Sequence, residues 1–70
     1  MKVECHAGHR GDETPRRFDW DGQTIEIAEV LRRWREPDAR FFRVQSVAGR
    51  AYVLRRDEET GRWNVLEVGG

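Results

Sequence analysis

The sequence predicts an all-β domain, a small antiparallel meander of five or six strands curled into a barrel or half-barrel. Three observations predict it. Asp21-Gly22 sits between two alternating segments, as in a two-residue hairpin turn. Apolar residues recur at every second position in several short stretches. Those stretches are separated by glycine, proline and aspartate punctuation. Curling follows from size, because a flat sheet would leave one face and both edges uncovered.

Lys2 to His6 forms a short first strand, and Gly8 to Pro15 a polar loop. Arg16, Phe18 and Trp20 share one parity before the Asp21-Gly22 turn. Ile25 and Ile27 continue the alternation after it. Ile27, Val30, Leu31 and Trp34 also fit an amphipathic helix, since they lie three, four and seven apart. An α+β fold with a helix at about 24–36 is therefore the rival reading. A long bent strand is preferred, with a bulge near Ala28 to Val30 turning Val30 or Leu31 inward after Ile27. Glu36-Pro37-Asp38-Ala39 breaks the chain. Phe41 to Val47 is the next strand, with Phe42 and Val44 on one face and Phe41, Gln45 and Val47 on the other. Ala51 to Arg55 follows after Gly49-Arg50, and the last strand starts at Trp63 after Glu59-Thr60-Gly61. Phe18, Trp20, Ile27, Trp34, Phe42, Tyr52 and Trp63 are the expected core. One domain spans residues 1–68, with a frayed tail at 69–70.

Hydrophobic and charged residues each make up 37% of the chain, too polar for a membrane protein. No apolar run approaches transmembrane length, and no signal peptide is expected. Cys5 is the only cysteine, which excludes an intrachain disulfide and suits a cytoplasmic location.

The charge is unevenly placed. Residues 32–56 hold eight arginines against Glu36 and Asp38, a net of +6, while residues 1–31 and 57–70 each sum to −3. The expected macromolecule-binding residues are Arg33, Arg35, Arg43 and Arg55 with Phe41, and Tyr52 as a further interleaved ring. Arginine beside exposed rings suits a protein interface. It also suits single-stranded nucleic acid, whose phosphates and bases it would contact, but the neutral net charge argues against that partner. The bland reading is cross-strand pairing, such as Arg16 or Arg17 with Glu26. Cys5, His6 and His9 have metal-ligand chemistry, but a closed site needs four ligands, so no metal is expected. Asp12 and Glu13 are expected to accept bonds from Arg33 or Arg35, with Trp34 as a lid over the core. No catalytic residue and no cofactor is expected; no glycine-rich phosphate loop and no oriented nucleophile is present.

Several stretches carry a resemblance. They are Gly8-His9-Arg10-Gly11-Asp12-Glu13-Thr14-Pro15-Arg16-Arg17-Phe18, Gly22 with Ile25 to Trp34, Phe42-Arg43-Val44, Tyr52-Val53-Leu54-Arg55 and Thr60-Gly61-Arg62-Trp63. In that order they resemble a family of small uncharacterised bacterial β-rich domains, a domain of unknown function. The likeness implies a β-rich fold and a strand at Ile25 to Trp34. It transfers no functional residue. The expected function is that of a protein-binding or structural accessory module using an arginine-rich face. The alternatives are single-stranded nucleic-acid binding and a metal-binding loop at Cys5, His6 and His9.

Overall fold

The computed structural model describes residues 2–7 and 13–69; the side chains of His6, Ala7, Glu13, Glu67 and Val68 fall outside this description. The chain is all-β. Six strands run β1 (Val3–Ala7), β2 (Glu13–Trp20), β3 (Gln23–Glu36), β4 (Ala39–Ser46), β5 (Ala51–Asp57) and β6 (Trp63–Gly69). They form one antiparallel sheet in the order β1-β2-β3-β4-β5-β6, curled into a half-barrel. Among the described residues no helix is long and apolar enough to cross a membrane.

The turns follow from residue chemistry. Asp21 (φ 52°) and Gly22 (φ 73°) both take positive φ, as the tight turn between β2 and β3 requires. Trp20 and Gln23 close that hairpin, and Glu36 and Ala39 close the next one around Pro37-Asp38. Gly69 still pairs with Ala51, so β6 runs one residue into the expected tail.

The fourteen-residue β3 is a strand and not the rival helix. Its first residues, Gln23 to Glu26, pair with β2, and Ile27 to Glu36 pair with β4. Two register shifts interrupt the second ladder, one between Ile27 and Glu29 and one between Val30 and Arg32. The first is the expected bulge, with Ala28 the extra residue, and it turns Val30 onto the core face opposite Val44. The second, at Leu31, restores the original parity. Arg33 then lies opposite Phe42 on the core face, and Trp34 opposite Phe41 on the outer face.

The core lies on the inner face of the curl. Phe18, Phe42, Val44, Tyr52, Leu54 and Trp63 are its buried members, with Trp20, Ile25, Ile27, Val30 and Val65 packed around them. Phe18 and Trp20 both meet the Tyr52 ring edge-on, at centroid distances of 5.1 and 5.7 Å. These contacts fasten β2 to β5. Trp34 is therefore not a lid over the core, and Tyr52, buried within it, offers no ring to a partner.

At one end the β3–β4 and β5–β6 turns are tied together. Asp57 Oδ1 accepts hydrogen bonds from the Glu59 and Thr60 amides, both 2.9 Å, and the Glu58 amide donates to the Asp38 carbonyl at 2.9 Å. The Thr60 amide bond is the main reason that the Asp57 carboxyl sits below its ordinary value of 3.8; the Glu59 amide and the Arg55 charge add to it against some desolvation. A depressed carboxyl stabilises the fold above its unfolded pKa and loses that contribution as pH falls through the folded value. In Asp57→Asn the side chain does not ionise, so this pH-dependent contribution is absent. Its denaturation midpoint should therefore lose less than wild type between pH 4 and lower pH, measured by urea unfolding. A wild-type-like acid limb in the variant would show that this turn carboxylate does not respond to pH.

Candidate functional site

The outer face of β3, β4 and β5 and the inner face near the Glu36-to-Ala39 turn each carry arginines. Strand alternation decides which go where. On β4 and β5 the outer row is Phe41 opposite Arg55 and Arg43 opposite Val53. On β3 the outer row is Arg32 opposite Arg43 and Trp34 opposite Phe41. Arg33 and Arg35 lie on the inner side, opposite Phe42 and Arg40. The five residues expected from sequence are thus split: Arg43, Arg55 and Phe41 on one face, Arg33 and Arg35 on the other. The Leu31 bulge is the cause. Without it, Arg33 and Arg35 would have joined the outer row.

Phe41 is also not an exposed anchor. It is only 8% exposed, and the Trp34 ring lies over it, with centroids 5.2 Å apart and planes within 5°. The half-exposed Trp34 replaces it at the surface. The Arg32 guanidinium stands 5.1 Å from the Trp34 ring centre, a cation–π contact. These residues, with Glu36, Arg43, Val53 and the exposed Leu66, line a shallow depression of about 320 Å³. Arg32 and Trp34 were missed in the expected set. Their signal is that they lie two apart on one strand, so any parity that exposes one exposes the other.

Charge pairing divides the arginines again. Arg55 reaches Asp38 at 3.5 Å and Asp57 at 3.7 Å. Glu58 Oε1 accepts from Arg40 Nε at 2.6 Å and lies 3.6 Å from Arg35. Arg17 lies between Glu4 and Glu26, at 3.5 and 3.4 Å, so the expected Arg17–Glu26 cross-strand pair forms. Arg32, Arg33 and Arg43 have no carboxylate within 4.0 Å among the described residues. Arg32 and Arg43 are moreover directly opposed across the ladder, an arrangement that destabilises a sheet when nothing neutralises it.

Of the Cys5, His6 and His9 loop, only the Cys5 side chain is described. It is half-buried and packs against the core. His9, Asp12 and the side chains of His6 and Glu13 lie outside the described residues, as do the contacts expected of them. Among the described residues, no three groups of metal-ligand type come together.

Comparison with curated proteins and with solved structures found no match. A family model described as a domain of unknown function, DUF6504, matches residues 3–69, from the first residue of β1 to the last of β6. The chain is a member of the DUF6504 family.

Proposed function

We propose that this chain is a protein-binding accessory module, not an enzyme, and that it docks an acidic segment of its partner on the arginine–tryptophan face of β3 and β4. One observation carries the reading: Arg32 and Arg43 face each other beside the Trp34–Phe41 stack, and among the described residues neither has a carboxylate within 4.0 Å. A partner carboxylate would relieve that repulsion, while Trp34 and Leu66 would supply apolar contact. Single-stranded nucleic acid is the second reading. It fits less well because tracking a strand takes several exposed rings, and here Phe41 is covered and Tyr52 is buried. A reducing, cytoplasmic setting accords with the lone cysteine.

The test is a titration of the ¹⁵N-labelled chain with two probes. One is the decapeptide Glu-Glu-Val-Val-Glu-Glu-Val-Val-Glu-Glu; the other is a dT12 oligonucleotide. The peptide should shift the amides of Arg32, Trp34, Arg43 and Leu66. The Arg32→Glu, Arg43→Glu double variant should weaken it by about tenfold or more. Shifts from dT12 alone would favour the nucleic-acid reading, and shifts from neither probe at about 1 mM would remove both.

A further inference from the structure

The two arginine groups separated by the Leu31 bulge come side by side along one line, the flank of β3 turned away from β4. This flank is open. β3 pairs with β2 only as far as Glu26, and β2 pairs with it no further than Arg17. Just beyond, β2 carries Pro15, which has no N–H to offer a neighbour. From Ile27 to Glu36, roughly 30 Å of β3 has a strand on one side only among the described residues.

The direction of the backbone groups can be worked out. The Ser46 amide donates to the Arg50 carbonyl at 2.8 Å, toward β5. Alternation then sends the N–H and C=O of Val44 and Phe42 to β5, and those of Arg43 and Phe41 to β3. Their opposite residues, Arg32 and Trp34, answer them. Arg33 and Arg35 therefore direct their N–H and C=O groups away from β4, into the flank where no described strand pairs.

Open flanks invite strand pairing, and proteins blunt them with bulges and charge. The bulges and arginines of β3 do keep off a neutral or basic strand. A run of Arg32, Arg33 and Arg35 against the single Glu36 does the opposite to an acidic one. We infer that the β3 flank from Arg32 to Glu36 takes an extended acidic segment of a partner protein by strand addition. This rests on the protein-binding reading above and adds its mode. The segment's N–H and C=O groups pair with those of Arg33 and Arg35. Its side chains alternate between the two faces, carboxylates on one side meeting Arg32 and Arg43 and those on the other meeting Arg33 and Arg35. No compact ligand lying on either face touches both sets. Glu58, already on Arg35, is the group that the incoming carboxylate displaces there.

Amide hydrogen exchange with the same decapeptide tests the mode. In the complex the Arg33 and Arg35 amides should exchange at least about tenfold more slowly, while the Trp34 amide, already directed at β4, changes little. Peptide-induced shifts at Arg32, Trp34 and Arg43 without slowed exchange at Arg33 and Arg35 would overturn strand addition and leave the protein-binding reading standing. No shifts at about 1 mM would overturn both. Slowed exchange that appears without peptide and grows with protein concentration would mean that a second copy fills the flank, which also overturns the inference.

Discussion

Phe18→Ala should leave the chain mostly unfolded at 25 °C. Phe18 is 1% exposed, and truncating a buried phenylalanine costs about 3–5 kcal/mol. A domain of this size rarely holds more than about 3–5 kcal/mol in its core. The loss is also placed where the fold can least absorb it. β1, β2 and the start of β3 are joined to the rest by the continuous β3 backbone and by what packs across the curl. Phe18 and Trp20 against Tyr52 are the aromatic contacts that make that second connection. Urea unfolding followed by near-ultraviolet dichroism measures the effect, with Val47→Ala as the control. Val47 is 68% exposed and its truncation should stay within about 0.5 kcal/mol. A loss below about 1 kcal/mol for Phe18→Ala would mean that the two halves do not depend on this contact.

How far the sequence announced this arrangement depends on where apolar residues mark the strand phase. Asp21-Gly22 demanded a turn with two positive φ values, and it is there. Phe42 and Val44 on β4, with Tyr52 and Leu54 on β5, fixed the inner face by simple alternation. The first β3 bulge was readable because Ile27 and Val30 have different parity and both are apolar. The second was not. Between Leu31 and Trp34 stand only Arg32 and Arg33, which tolerate either face and so carry no phase. A large aromatic at the end of such a stretch looks like core. Whether Trp34 faces in or out is then settled by Phe41, the partner that the β3–β4 hairpin sets opposite it. The same lost residue of register divided the expected binding set between two faces. Ion pairing was equally hard to foresee, because Glu58 reaches Arg35 and Arg40 only once two turns distant in sequence are joined at Asp38.

Phe41→Ala should cost about 3 kcal/mol although Phe41 points away from the core. The ring is 8% exposed, so its truncation removes nearly a full phenylalanine burial. The Trp34 ring stacked on it can settle toward the sheet, and this keeps the loss near the low end of the range. Trp34→Ala should cost less, about 1–2 kcal/mol, because its outer surface is already wet. A tryptophan serving as a core lid would cost about 3–5 kcal/mol instead, so the size of this loss separates the two placements. The double variant carries the decisive number. Parallel rings 5.2 Å apart should couple by about 0.5–1.5 kcal/mol, so the two losses together exceed the loss measured in the double variant by that amount. Urea unfolding of the four proteins, all in the same concentration of a stabilising osmolyte so that the double variant still folds, closes the cycle. Losses that add to within about 0.3 kcal/mol would show that the rings do not stack in solution. The outer depression would then lack its aromatic floor, and the docking face built on Trp34 would fall with it.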